Sequence, residues 1–158
     1  AVNLGSRLGG NFRAMTATLD AWAGDTQRAV EIFAEAEQLA ASAVWREPAM
    51  LAWRDDYVQS LVELERIDEA VALLDPWEAD AQRLGRAWVL AHATRCRGLI
   101  AAARGEVDEA IVLLERAADG SGAAGDPFGR RVRRGAVGEQ ASQLVGLGLH
   151  GRPHVRHA

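Results

Sequence analysis

Apolar residues recur along this chain at the three- and four-residue spacing of amphipathic helices, and one such pattern occurs three times. In the segment 104–117, RGEVDEAIVLLERA, the residues Ala110, Leu114 and Ala117 fall on one face of a helix. The offsets between copies are 40 and 41 residues, which lies in the range of helical-repeat proteins. The earlier copies carry this face as Ala70 and Leu74, and as Ala29, Phe33 and Ala36.

The full pattern predicts six helices joined by short turns. Gly24, Gly85 and Gly105 stand where helices should end, because glycine readily adopts the left-handed conformation of a helix terminus. Pro76 lies inside the fourth helix, where it should kink the helix or remove one backbone hydrogen bond. The predicted helices cover residues 11–23, 26–43, 49–66, 68–84, 86–104 and 107–118.

These helices should associate as hairpins, and the hairpins should stack. One hairpin has too little surface to bury its own apolar face, so neighbouring copies must complete the core. Small residues at equivalent places should let the two helices of a hairpin approach closely; they are Ala29, Ala70, Ala110 and Gly98. The sequence therefore predicts an all-α stack of about three hairpins over residues 11–118.

The two ends differ from the repeats in composition and charge. Residues 1–10 hold three glycines without a helical period, so we expect a frayed entry there, and residues 119–128 have the composition of a loop. Residues 1–128 carry 12 Arg against 21 acids, whereas residues 129–158 carry 6 Arg against Glu139 alone. The acidic body argues against direct nucleic-acid binding by the repeats, because phosphate contacts require clustered positive charge. The start at Ala1 in mid-pattern suggests a fragment of a longer protein.

The basic Gly/Arg/His tail, residues 129–158, has two interpretations. It is a genuine disordered tail for nucleic acid or an acidic partner, or the product of a frameshift near Arg130. We favour the frameshift, because the helical pattern and the composition change at one point. His150, His154 and His157 have spacings of 4 and 3 residues, but without a helix or a fourth ligand they do not predict a metal site.

Gly98, Ala110, Leu114 and Ala117 together resemble the packing positions of a tetratricopeptide repeat, although that repeat has roughly 34 residues. The amino-acid sequence of the longer, 40- to 41-residue unit resembles a narrower group of proteins. LVELERIDEAVALL, then AQRLGRAWVLAHATRCRGLIAAARGEVDEAIVLLERA, then GDPFGR, is similar to the C-terminal repeat region of large ATP-binding LuxR-type transcription regulators. These are the maltose-regulator-like ATPases of actinobacteria. The similarity is close over residues 45–130 and loose over 11–44.

This resemblance implies a right-handed α-solenoid of tetratricopeptide-like hairpins that acts as the sensor and protein-interaction segment of such a regulator. The chain contains neither a GxxxxGK[ST] phosphate loop nor a recognition helix, so neither ATPase nor DNA-binding function is carried over. The alternative is a free-standing adaptor that binds a peptide or partner protein. The last hairpin, lacking a following helix after Ala118, is expected to be an exposed end through which the chain self-associates.

In the family that the chain resembles, the first helix of each hairpin lines a concave groove. Its mixture of amide, hydroxyl, carboxylate, imidazole and guanidinium groups suits a protein, peptide or small polar effector. By register, the residues that should face this groove are Asn11, Thr18, Trp22, Asp55, Gln59, His92 and Arg95.

No constellation of residues indicates catalysis, a cofactor or a metal. Cys96 is the only cysteine and falls among apolar residues, which predicts a buried structural thiol. His92 shares a helical stripe with Trp88 and Cys96, which favours packing over general-base chemistry. No apolar run approaches the roughly 20 residues that span a bilayer. We therefore expect a cytoplasmic protein that is not an enzyme.

Overall fold

The computed structural model describes residues 4–41 and 47–123, with side chains over 9–41 and 47–120, and it is helical with no strand in these ranges. The all-α prediction is confirmed. The helices are α1 (Leu4–Trp22), α2 (Thr26–Ala41), a short 3₁₀ helix (Pro48–Leu51), α3 (Arg54–Glu63), α4 (Ile67–Leu84), α5 (Ala87–Ala103) and α6 (Val107–Ala123). The predicted tail 129–158 lies outside the described residues.

Consecutive helices pack as pairs, α1 on α2, α3 on α4 and α5 on α6. Each pair also contacts the next one, through α2 on α3 and α4 on α5. In addition α1 contacts α3 and α3 contacts α5, so the odd-numbered helices lie side by side as one row. This row carries the residues from which a site could be assembled.

The turn inside each pair has the same backbone structure. Gly24, Glu65 and Gly105 occupy equivalent positions and all have positive φ, at 89°, 59° and 80°. At each turn the next residue donates its N–H five residues back, for example Glu106 N to Ala101 O at 2.9 Å, which is the Schellman arrangement. The predicted stops at Gly24 and Gly105 are confirmed, and Glu65 adopts the same conformation without the freedom of glycine.

The repeated apolar face forms the core. Its members are fully enclosed at equivalent positions of all three pairs: Ala29, Ala70 and Ala110, then Phe33, Leu74 and Leu114, then Ala36, Trp77 and Ala117. Gly98 confirms the close approach of α5 and α6. A Cβ on this glycine would lie 2.9 Å from Leu114 Cγ and 3.3 Å from the Ala110 carbonyl oxygen.

Two predicted boundaries are wrong because helix packing outweighs the low helix propensity of glycine. The expected frayed entry 1–10 is helical from Leu4, and a Cβ on Gly10 would meet Leu39 Cβ of α2 at 3.4 Å. The expected loop 119–128 is helical as far as Ala123, and a Cβ on Gly120 would meet Ala91 Cβ of α5 at 3.3 Å. Residues 124–128 lie outside the described residues.

The predicted helix 49–66 is instead a 3₁₀ turn followed by the shorter α3. Glu47 caps this turn by accepting from Ala49 N at 3.2 Å, and the Pro48 carbonyl accepts from Trp77 Nε1 at 2.9 Å. The turn is thereby anchored to α4. That helix continues through the exposed Pro76, beside the enclosed Trp77.

Candidate functional site

A group of polar side chains meets where α3 lies against α5. Asp55 sits in the first turn of α3, where the helix dipole favours a negative charge, and Gln59 follows one turn later on the same face. His92, Arg95 and Cys96 are spaced three and four residues apart, so they share the facing side of α5. We call these five residues the Asp55 cluster.

The Asp55 carboxylate is the centre of this cluster. His92 Nδ1 lies 2.6 Å from Asp55 Oδ2, and Arg95 Nη1 donates to Asp55 Oδ1 at 2.6 Å. The Cys96 thiol lies 3.3 Å from the same Oδ1, and Arg95 Nη2 donates to Gln59 Oε1. Because an ionised carboxylate only accepts hydrogen bonds, Nδ1 is the His92 nitrogen that carries a proton.

All residues of the cluster except the part-exposed Gln59 lie out of contact with bulk water. Asp55 is 2% exposed and His92 3% exposed, and the Arg95 side chain is enclosed almost as fully. The Trp88 ring meets the His92 ring edge to face, with centroids 5.5 Å apart. A buried charge is tolerated only when it is paired and hydrogen-bonded, and the Asp55–Arg95 pair meets both conditions.

Burial and the central carboxylate set the charges in the cluster. Burial disfavours the Arg95 guanidinium charge, but the acidic groups around it, led by Asp55 and including Asp56, together outweigh burial, so the pKa of Arg95 lies above its ordinary value. Burial, followed by the negative charge of Asp55, raises the pKa of the Cys96 thiol well above its ordinary value. Cys96 is therefore a protonated hydrogen-bond donor rather than a nucleophile. The predicted buried thiol is confirmed.

The structure brings together four of the seven residues predicted to face a groove: Asp55, Gln59, His92 and Arg95. Their polar atoms bind one another, and Gln59 alone of the four is part-exposed. Asp55, His92 and Arg95 therefore stabilise the contact between α3 and α5 and do not line a solvated groove.

The other three predicted residues lie on α1, apart from the cluster. Asn11 Oδ1 accepts from Trp53 Nε1 at 3.3 Å, and Thr18 Oγ1 donates to Asp56 Oδ2 at 3.0 Å. Both contacts join α1 to α3 or the turn before it. Trp22 is 71% exposed near the end of its helix.

Three contributors to the contacts among α1, α3 and α5 were missed from the sequence: Asp56, Trp53 and the hydrogen bond of Cys96. One signal that was present concerns the central ion pair. Asp55 and Arg95 are separated by the 40-residue repeat offset, so they occupy one position in successive pairs with opposite charges. Such a substitution pattern within a repeat predicts an ion pair between neighbouring copies.

The described side chains contain no group of three or more His, Cys, Asp or Glu arranged to hold a metal ion. Within the described helices, none has the length and apolar character needed to cross a membrane. The arrangement is instead a hydrogen-bond network that joins α3 to α5. At its part-exposed residue, Gln59, hydrogen-bonding ligands could compete for Arg95.

Comparison of this chain with family models, curated proteins and solved structures finds no match in any of the three.

Proposed function

We propose that this chain is the sensor and protein-interaction segment of a LuxR-type transcription regulator, folded as a right-handed solenoid of three tetratricopeptide-like hairpins. The family is supported by the similarity of residues 45–130 to the repeat region of these regulators. The identical turns at Gly24, Glu65 and Gly105, together with the side-by-side row of α1, α3 and α5, support the solenoid.

The observation that carries a sensor role is the Asp55 cluster. Across the α3–α5 contact it supplies a network of charged hydrogen bonds, whose strength depends on which groups are paired. Its outer member, Gln59, is reachable from solvent while it accepts from Arg95. An effector that replaced Gln59 on the guanidinium would change how firmly the second and third pairs are coupled. A difference in effector affinity between the two arrangements would bias the regulator.

The second candidate is a free-standing adaptor, and one observation favours it. Among the described side chains of α1, the four large apolar ones face solvent, namely Phe12, Met15, Leu19 and Trp22. An exposed apolar patch rimmed by polar residues is typical of a protein-interaction surface.

A thermal-shift panel of sugars, amino acids, small carboxylates and short peptides tests the sensor hypothesis. A ligand present at 100 times its dissociation constant should stabilise the chain by roughly 2.7 kcal/mol. Because Gln59 competes with the effector for the Arg95 guanidinium, the gain should be larger in Gln59→Ala and unchanged in Gln38→Ala, a matched change at an exposed position of α2. A ligand whose effect is the same in the wild type and in Gln59→Ala binds elsewhere and contradicts the assigned site.

The gene neighbourhood separates the two candidates. A reading frame encoding a GxxxxGK[ST] phosphate loop upstream and one encoding a helix-turn-helix downstream would support the regulator. Flanking frames of unrelated content would favour the adaptor.

A further inference from the structure

Helix α1 has a second apolar face that no described element covers. We call Phe12, Met15, Leu19 and Trp22 the α1 stripe; these side chains are 66%, 64%, 61% and 71% exposed. The opposite side of the helix holds the fully buried Ala14 and Ala17. Thus α1 meets its own hairpin through small residues and presents its large ones outward.

The equivalent surface of α5 shows that a helix can pack against the α1 stripe. On α5 the positions equivalent to Phe12, Met15 and Leu19 are enclosed, because α3 and α4 of the preceding pair pack against that helix, whereas Ala103, the equivalent of Trp22, is exposed. The correspondence runs from Phe12 to Ala93, from Met15 to Cys96 and from Leu19 to Ile100. The position occupied by the α1 stripe is therefore one that receives a packed helix elsewhere in this molecule.

The spacing of the stripe makes it complementary to itself. Its residues follow one another at intervals of 3, 4 and 3, which is the a/d seam of a helix pair. When two copies run antiparallel about a two-fold axis, Phe12 faces Trp22 of the second copy and Met15 faces Leu19 of the second copy. Each layer then joins an a position to a d position, and every stripe residue obtains an apolar partner.

Charge does not oppose this pairing. The residues beside the stripe are uncharged: Asn11 and Thr18 towards α3, and Thr16 and Ala23 on the other side. The nearest charges are already paired within the chain. Arg13 forms an ion pair with Glu35, and Asp20 lies 3.4 Å from Arg28. Two identical surfaces therefore meet without like-charge repulsion.

We propose that the α1 stripe is an isologous dimer interface whose occupant is α1 of a second copy of this chain, packed antiparallel. Aromatic side chains bury roughly 150–250 Å² each, so the four exposed side chains offer on the order of 500 Å² per copy. Two copies then reach the low end of specific interfaces, near about 1,000 Å² in total. The dimer should be weak and depend on concentration. It is independent of the proposed effector site.

Sedimentation equilibrium of the full chain from micromolar to millimolar concentration tests the interface. The wild-type chain should shift from monomer to dimer, and Met15→Glu should raise the dissociation constant by about tenfold or more. Val112→Glu is the matched control, since Val112 is also exposed but lies on α6. Both substituted side chains are mostly exposed, and circular dichroism checks that the helices persist.

Disulfide trapping tests the antiparallel order. Phe12→Cys chains mixed with Trp22→Cys chains should form a mixed dimer on oxidation, while Phe12→Cys alone should not cross-link efficiently. A wild-type chain that stays monomeric, or a dimer lost equally in Val112→Glu, would overturn the interface. Efficient cross-linking of Phe12→Cys to itself would overturn the antiparallel order. Cys96 does not interfere because it is buried.

Discussion

Helices α1 and α5 hold equivalent places in their hairpins, yet they bury opposite kinds of residue. The α5 surface that faces the preceding pair encloses His92, Arg95 and Cys96. The corresponding surface of α1 leaves the large apolar side chains of the α1 stripe in solvent. One helix buries charge and the other exposes hydrocarbon, which is the reverse of the usual preference.

The difference shows that burial here is a property of the neighbour rather than of the residue. Helix α5 lies against α3, whose Asp55 compensates the guanidinium that the contact encloses. No described helix lies against the stripe of α1. The same repeat position is therefore enclosed as Cys96 in α5 and exposed as Met15 in α1.

The largest effect is expected from removing the carboxylate that compensates the buried charge of α5. Asp55→Ala leaves the Arg95 charge buried and unpaired, so we expect the free energy of unfolding to fall by about 3–5 kcal/mol in urea denaturation. Asp75→Ala is the control, because Asp75 also accepts from an arginine, Arg97, at 2.6 Å but lies exposed. Its cost should stay below about 1 kcal/mol. Similar costs for the two variants would break the comparison.

Truncating equivalent residues tests the comparison directly. Ile100→Ala should cost about 2–5 kcal/mol, because Ile100 is enclosed and its removal leaves a cavity. Leu19→Ala, at the same repeat position, should change stability by less than about 0.5 kcal/mol in dilute protein. Thermal or urea unfolding at low concentration measures both. A large loss in Leu19→Ala would mean that the α1 stripe is covered in solution.

The next effect concerns how closely each helix meets its own hairpin partner. Gly98→Ala should cost about 1–3 kcal/mol, since the new methyl group would press on Leu114 and on the backbone of α6. Ala110→Leu at the same contact should cost a similar amount. In α1, Gly9→Ala has no neighbour within 4 Å and should instead stabilise by about 0.5–1 kcal/mol. Opposite signs in a urea titration confirm the close contact.

A smaller effect is expected at the turn between α3 and α4, which differs in residue type from the equivalent turns of the other two pairs. Glu65 has φ of 59° where Gly24 and Gly105 stand in the other pairs. Glu65→Gly removes left-handed strain and should stabilise by up to about 1 kcal/mol after the added entropy of the unfolded chain. Gly105→Ala introduces that strain and should destabilise the protein. Melting temperatures that move in the same direction for both variants would contradict the shared turn geometry.

The smallest effect is a pH dependence at the part-buried ion pair between Glu47 and Arg86. Hydrogen bonds from Arg86 lower the pKa of Glu47 from 4.5 to about 2. Because the folded pKa is depressed, the ion pair stabilises the protein above pH 4.5, and this stabilisation disappears as the pH falls towards 2. Arg86 is partly solvated, so the contribution should be about 1 kcal/mol or less.

Glu47→Gln keeps an acceptor for Ala49 N but removes the titrating group. Its stability should therefore fall less than that of the wild-type chain over this pH range in urea unfolding. Glu31→Gln, at an exposed position of α2, should behave as the wild type. Parallel pH profiles for Glu47→Gln and the wild type would show that the ion pair does not form in solution.

Much of the helical arrangement was predictable, while the packing that sets the helix ends was not. The three-copy pattern around Ala110 and Leu114 determined the helix faces, because a helix requires a fixed period. The glycines at 10 and 120 argued against helix, yet both are helical where they meet a neighbouring helix. Local propensity amounts to about 1 kcal/mol per glycine, and such contacts outweigh it.

The candidate site was predictable only as a set of residues. The register grouped Asp55, Gln59, His92 and Arg95, and the structure places these four together. That they pair with one another rather than face solvent depends on the distance between α3 and α5, which no periodicity specifies. The Thr18–Asp56 and Asn11–Trp53 hydrogen bonds likewise depend on the distance between α1 and α3.

The sequence by itself therefore determined an all-helical chain, its turns and the apolar face repeated in each pair, since these follow from periods and local backbone preferences. Only the tertiary structure decided which repeat positions are enclosed. The burial of Arg95 and the exposure of Met15 both depend on whether another helix lies within contact distance. That distance results from the packing of whole hairpins rather than from the residue itself.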